Sequence, residues 1–367
     1  MTTIDVETLR GWLEERRPVT ILDVRPTAEW AEWAIPGSIH VDAYDTLKAH
    51  DPAALADVGI PSDVPVVTVC GAGKTSLVAA QQLQARGIEA LSLEGGMKAW
   101  SLAWNIAEVP VAGDAVHVFQ VRRTGKGCLS YLIGAGEEAM VIDASLDPQV
   151  YIDLARSHGW QISSVFDTHI HADHLSRSRQ LAQMSGAMLF LPDQQRVSFP
   201  FTAMRDGDTL ATPHLTLTAL RTPGHTPEST SYLLNNAFLF TGDTLFPTGI
   251  GRPDLHADGQ ETRARSSLLY HSLHKLLALP SETLVLPGHA SQPVPFDGKP
   301  IDATLAEIDE QVGILHATQT IFVETLLRLL PPTPPNYERI VRLNEAGMVP
   351  EDDITELEAG ANRCAIS

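Results

Sequence analysis

The chain has 367 residues, enough for two domains or three at about 150 residues each, and its 44% hydrophobic content gives each a core. Lys and Arg number 26 against 45 Asp and Glu, a net charge of −19 without a basic cluster, which argues against a nucleic-acid partner. No stretch approaches the roughly 18 uninterrupted apolar residues of a membrane span, and MTTIDVETLR is neither basic nor apolar, so a soluble cytoplasmic protein without a membrane partner is expected.

Residues 1–106 alternate strands and helices. VTILDV at 19–24 and VPVVTV at 64–69 are β-branched apolar runs of the length and composition of buried parallel strands. SLVAAQQLQAR at 76–86 has helical spacing and stops at Gly87; a short strand, EALSL, and a turn, GGMKAW, follow. The pattern predicts a small α/β domain, a parallel sheet with helices on both faces. Cys70 directly follows the second strand and opens CGAGKTS ahead of the helix. Its sulfur is expected over a loop of backbone N–H groups at a helix N-terminus, a setting that stabilises an anionic sulfur and suits a nucleophile. GAGKTS is not a phosphate-binding loop, because G-x-x-x-x-G-K-[ST] needs glycine at 68, where Thr68 stands. Three cysteines, Cys70, Cys128 and Cys364, form no disulfide framework or zinc spacing, and Cys128, inside a strand-like run, reads as a buried inert thiol.

Residues 107–114, AEVPVAGD, lose periodicity and read as a linker. From 115 to 300 strands dominate, with helical stretches near 148–158 and 177–185, which predicts two sheets with helices outside. In the extension 301–367, one helix pattern runs from Asp302 to the break PPTPP at 331–335, and a shorter helix, YERIVRLNEAG, follows.

Several of the 14 histidines crowd one segment, THIHADHLS at 168–176, an H-x-H-x-D-H pattern at His169, His171, Asp173 and His174. Alternation at a strand end followed by a turn lets imidazoles and a carboxylate converge as a metal requires. His225 in TPGHTPES, Asp243 in FTGDTLF and His289 in LPGHA each sit in a glycine-bearing loop after a strand, and glycine permits the tight path that aims the side chain inward.

With these seven residues in order, residues 115–295 resemble the metallo-β-lactamase superfamily, which implies an αββα sandwich with metal at its strand ends. Two branches compete. In a glyoxalase II-like thioester hydrolase all seven residues bind two metals, Zn(2+) here, with Asp243 bridging. In a persulfide dioxygenase one Fe(2+) per chain is held by His169, His225 and Asp243, a two-histidine, one-carboxylate set with open positions. His171, Asp173, His174 and His289 then orient ligands and water. CLSYLIG, VIDASLDPQVY, DTHIHADHLS, TGDTLFPTGIGRPDL and PPNYERIVRLN resemble the second branch. That resemblance implies oxidation of glutathione persulfide or a similar persulfide by O2 to sulfite and thiol, with Arg252, Thr226 and Thr241 at the substrate and a homo-oligomer as the family habit. An Arg252 to Asp254 salt bridge supporting the loop is the other reading of that arginine, and the two are compatible. The sequence departs from the pattern at Ser176, often glycine, and at Ile250, where some relatives carry cysteine.

Residues 1–106 resemble a rhodanese domain, through ILDVRPTAEWAEWAIPGSIHVDAY at 21–44 and EGGMKAW at 94–100. The resemblance implies a Cys70 persulfide in a loop made with Gly71, Ala72, Gly73, Lys74, Thr75 and Ser76, exchanging sulfur with thiosulfate or sulfite. Lys74 is placed to attract the anion. Gly71 stands where many rhodaneses have arginine. Together the two halves suggest a persulfide dioxygenase fused to a sulfurtransferase. A non-catalytic persulfide sensor that binds a partner through Cys70 is a further alternative.

Overall fold

The computed structural model describes residues 2–366 apart from 57, 62, 112, 114, 351–353, 359, 361 and 362. The N-terminal domain is a parallel sheet ordered Thr3–Ile4, Ala90–Leu93, Val66–Val69, Thr20–Asp23 and Ile39–His40. Val66–Val69 lies in the middle, wholly buried, as its unbroken valine-rich run requires. Helix Lys74–Ala85 packs Ala79, Ala80 and Leu83 against Leu22, Val66 and Ala90. The expected turn GGMKAW is instead a short helix, Gly96–Trp100. Its early N–H groups have acceptors outside their own segment: Met97 donates to Cys70 O at 2.8 Å and Lys98 to Gly71 O at 3.1 Å. Local periodicity cannot reveal such partners.

The second domain stacks two sheets. One runs in the order Thr202–Met204, Met188–Pro192, Gln161–Phe166, Glu138–Ile142, Cys128–Ala135, His117–Arg123 and Asn105–Val109. The other contains Thr209–Ala211, Thr216–Arg221, Thr230–Leu234, Phe238–Gly242, Leu284–Pro287 and Ala303–Thr304. Tyr131, Ile142 and Phe166 meet Leu217, Tyr232 and Phe240 between them. Helices Pro148–Ser157 and Ser178–Ser185 cover one outer face, and Gly259–Leu277 with Gln319–Leu329 cover the other, giving the αββα layers.

Three boundaries differ from the sequence expectation. Asn105–Val109, read as the domain end and part of the 107–114 linker, pairs antiparallel with His117–Arg123, burying Asn105, Ala107 and Val109 in alternation. Helix Gly259–Leu277 has no predicted counterpart, because Arg, Ser and His interrupt the apolar stripe of Leu269, Leu273 and Leu276. The single helix expected after Asp302 is divided into Leu305–Gln311, a 3-10 turn at Gly313–His316 and Gln319–Leu329; Val312 leaves the helical region at φ −97° and ψ 78°, next to a glycine. The extension then returns over the sandwich through helices Tyr337–Ala346 and Ile354–Leu357 and ends with Ile366 paired to Ile250. Among the described residues no helix is long and apolar enough to cross a membrane.

The two domains meet at the hairpin turn 124–127. Trp33 Nε1 donates to Thr124 O at 3.2 Å, and Arg123 Nε donates to Ser101 O at 2.6 Å. A Cβ on Gly125 would lie 1.8 Å from Trp100 O, and one on Gly127 would lie 2.9 Å from the Trp33 ring. Both glycines are therefore conditions of close docking. Gly125→Ala is expected to destabilise the protein by about 1–3 kcal/mol through overpacking at this junction. Calorimetry checks this: the junction should loosen, lowering the transition or splitting it in two.

Candidate metal centre and sulfur loop

The segment 168–177 leaves the strand Gln161–Phe166 and carries three of the histidines without regular secondary structure. Thr168 starts it: its N–H donates to Asp143 Oδ1 at 2.7 Å and its hydroxyl to Asp143 Oδ2 at 2.8 Å. That hydroxyl also lies 2.9 Å from His169 Nδ1, which leaves Nε2 as the outward ring nitrogen. His225 is oriented the same way, with Nδ1 2.7 Å from Arg252 O. His169 Nε2 and His225 Nε2 lie 3.8 and 3.6 Å from one atom, Asp243 Oδ2. Neither His169 Nε2 nor Asp243 Oδ2 has a hydrogen-bond partner, although both are buried. A cation held by this set removes that deficit, so the residues fit a metal.

Glycines set the approach. Gly242 has φ +51°, and a Cβ there would lie 2.3 Å from Thr168 Oγ1; a Cβ on Gly288 would lie 2.8 Å from Asp243 Oδ1.

The remaining ligand-type residues form two further groups. His289 Nδ1 lies 2.5 Å from Asp243 Oδ1 and its Nε2 lies 2.8 Å from Asp173 Oδ2. His174 Nδ1 lies 3.0 Å from Asp173 Oδ1. Cys128 Sγ is 3.6 Å from Asp173 Oδ2 and 3.7 Å from His174 Nδ1, so Cys128, expected to be inert, belongs to the centre. A strand period reports that a side chain is buried, not what it faces. The extension brings Cys364 to Asp243 and His289 as well. His171 faces Asp143 at 3.3 Å and Asp167 at 4.0 Å.

Electrostatics separates these groups. Burial holds His169 well below the usual histidine range, with His171 adding to it, and burial likewise lowers His225, so both are neutral ligand-type imidazoles. Burial works against charge on His289 also, but Asp173 and Asp243 outweigh it and push the imidazole well up. For His174 burial is outweighed by Cys128 and Asp173, which raise it to about 10. Burial pushes the Cys128 thiol up, yet His174 draws it down to about 7. Asp243 lies below the carboxylate range because His289, then His169 and His225, override burial.

Arg252 is fully buried, with its five N–H donors on the Asp254 carboxylate (2.8 and 2.7 Å) and the carbonyls of Pro331, Pro332 and Arg363. It forms the expected salt bridge, and its guanidinium is not open to a substrate carboxylate. Thr241 donates its hydroxyl to Leu245 O at 2.7 Å, and Thr226 Oγ1 lies 2.8 Å from Ser229 Oγ.

In the N-terminal domain Cys70 is buried at the end of Val66–Val69, and the Ser76 hydroxyl donates to its sulfur at 3.3 Å. Gly71, Ala72 and Gly73 lead to Lys74, the first residue of its helix; Lys74 is exposed and Thr75 buried. A Cβ on Gly96 would lie 2.2 Å from Cys70 O, so the loop rests directly on the Gly96–Trp100 helix.

Comparison with known proteins agrees with this architecture. The rhodanese-like domain model matches residues 5–103, and the metallo-beta-lactamase superfamily model matches 123–289. The crystal structure of ETHE1 from Myxococcus xanthus is 33% identical, with TM-score 0.55, and the alignment covers 63% of this chain and 98% of that one. This chain belongs to the metallo-beta-lactamase superfamily. A metallo-beta-lactamase from Staphylococcus aureus subsp. aureus COL matches at TM-score 0.59 and 27% identity, covering 64% of this chain and 74% of that one. Hydroxyacylglutathione hydrolases from Methylobacillus flagellatus and Rhizobium johnstonii are each 34% identical over 43% of this chain. The chain spans 60% and 56% of the length of these two curated relatives. The superfamily domain is thus preceded by a rhodanese-like domain and followed by helices outside both matches.

Gly288→Ala forces a methyl against the Asp243 carboxylate, and is expected to weaken metal binding about tenfold or more with the fold retained. Metal analysis after dialysis, alongside circular dichroism, checks this.

Proposed function

We propose that the metallo-beta-lactamase domain is a persulfide dioxygenase and that the rhodanese-like domain transfers sulfane sulfur through Cys70. The observation that carries the first half is the division of the buried cluster: neutral His169 and His225 converge with Asp243 on one point, while Asp173, His174, His289 and Cys128 bind one another. Two imidazoles and one carboxylate suit a single Fe(2+), which when bound supplies the redox chemistry for O2 and leaves positions for substrate sulfur. Coverage of nearly the whole ETHE1 chain, against little more than half of each hydrolase, supports this branch.

In this reading glutathione persulfide, O2 and one water give glutathione, sulfite and two protons, the oxidation of sulfane sulfur balancing the reduction of O2. Thr168 and the Arg252 carbonyl orient the two ligand imidazoles. His289, protonated between Asp173 and Asp243, fixes the Asp243 carboxylate so that Oδ2 faces the ligands. Burial of all these groups excludes bulk water from a reactive sulfur intermediate. In the other domain, Cys70 thiolate attacks the outer sulfur of thiosulfate; a Cys70 persulfide forms and sulfite leaves. Transfer of that sulfur to a thiol regenerates Cys70, and the cycle runs in either direction.

A zinc thioester hydrolase is the second reading. It is favoured by the hydrolase relatives and by His174 Nε2 and both His171 ring nitrogens, which are buried without hydrogen-bond partners and offer donors to a second metal. Metal analysis with O2 uptake on glutathione persulfide separates the two: the proposal expects about one iron per chain and persulfide-dependent uptake. Bound zinc with thioester cleavage and no uptake overturns it.

Independent sites give a second expectation. Cys70→Ser should abolish thiosulfate sulfurtransfer and keep O2 uptake, and Asp243→Ala should do the reverse. Loss of both activities in either folded single variant contradicts two separate centres.

A further inference from the structure

We infer that the C-terminal extension is a working part of the metal centre, with Asn344 and Glu358 as positioning residues for the loop that bears the ligands. The inference rests on the reading of His169, His225 and Asp243 as a metal site, and not on which metal or reaction that site serves.

A loop without regular secondary structure must find partners for its backbone polar groups elsewhere. Between His171 and Ser176 the backbone makes five hydrogen bonds among the described residues, and four of them go to two side chains of the extension; the fifth is donated by Arg177 Nη1 to Leu175 O at 3.0 Å. Asn344 Nδ2 donates to His171 O at 2.8 Å and to His174 O at 2.9 Å, and Asn344 Oδ1 accepts from Ser176 N at 2.9 Å. Glu358 Oε1 accepts from Leu175 N at 2.7 Å. One primary amide thus meets two carbonyls and one N–H, which a carboxylate or an apolar isostere cannot do.

Glu358 is entirely buried, and its carboxylate lies 2.5 Å from Arg123 Nη2 and 3.7 Å from Arg177 Nη2. A buried charge with partners on three elements tolerates little displacement. Arg123 belongs to the sandwich strand His117–Arg123 and also reaches Ser101 at the domain junction, so Glu358 ties the ligand loop to the rigid body of the protein. Two residues earlier Glu356 pairs with Lys98, whose own N–H holds Gly71 O in the sulfur loop. The extension therefore contacts the neighbourhoods of both centres. Asn344 and Glu358 lie beyond residue 289, where the superfamily match ends.

The test is zinc affinity of the full-length protein, by competition with a chelating dye, with hydrogen exchange of the peptide covering 168–178 in the metal-free protein. Asn344→Asp and Asn344→Leu, both close in size to asparagine, and Glu358→Ala should each raise the zinc Kd about 10–100-fold. Exchange should rise in the 168–178 peptide while the sandwich strands stay protected. Glu358→Gln keeps an acceptor for Leu175 and should restore part of the affinity lost in Glu358→Ala. Glu356→Ala, which removes an exposed pair, should change Kd by no more than about twofold. Folded Asn344 variants with wild-type Kd and wild-type loop exchange overturn the inference and leave the proposed function standing. So does a rise in exchange spread evenly over the domain, because that marks a general loss of stability. A zinc-bound thioester hydrolase whose Kd responds as described overturns the dioxygenase reading alone. A wild-type protein that binds neither zinc nor iron overturns both.

Discussion

His289 stands between two carboxylates, 2.5 Å from Asp243 and 2.8 Å from Asp173, and all three are buried. An isolated charge in such a place is expensive, so each member is tolerable only while the others stay put. Asp173 in turn holds His174, and His174 draws down the thiol of Cys128. The chain of alternating charge ends at Asp243, whose second oxygen is left facing His169 and His225. Backbone must come close to carry these groups, which is why Gly242 and Gly288 border the cluster where a Cβ would collide with Thr168 or Asp243. The sandwich supplies a rigid frame for the pocket; the charges dictate where the strands may end.

The candidate cluster was legible because metal chemistry leaves a local mark: H-x-H-x-D-H is one segment, and His225, Asp243 and His289 each stand beside glycine after an apolar run. The layers were legible for a related reason, since valine-rich and alternating runs translate directly into buried strands. What escaped lies in contacts distant along the chain. Cys128 has the pattern of an ordinary core residue, and only the meeting of its strand with the His289 loop makes it a neighbour of His174. Asn344 closes the run PPNYERIVRLN and Glu358 follows the short helix Ile354–Leu357, and neither position shows in sequence that its partners are more than 160 positions away. Asn105–Val109 is short and precedes a proline, so it resembled a linker until a sheet edge gave it a partner.

The domain junction follows the same logic of close approach. The turn at Gly125 and Gly127 fits under Trp33 and Trp100 only because neither position has a side chain, and it continues directly into the strand of Cys128. The sulfur loop is fixed from the other side by the helix Gly96–Trp100, whose Lys98 meets the extension. The 124–127 turn and the extension thus each touch elements next to both centres.

In the proposed reaction an anionic sulfur substrate has to enter a protein with net charge −19, which makes the local sources of positive potential decisive. Arg252 is a weak source: Asp254 neutralises it, and its remaining donors hold the carbonyls of Pro331, Pro332 and Arg363. Its service to the centre is structural, through its carbonyl on His225 and its grip on the extension. Among the described residues the positive groups near the proposed ligands include the imidazoles of His174 and His289, each paired with carboxylate, and Arg179, which lines the cavity beside His169 and His171 and is held by the carbonyls of Ala346 and Gly347 and the face of Phe199. In the proposed reaction, attraction of an anion into this cavity therefore falls to Arg179 and to the metal when it is bound.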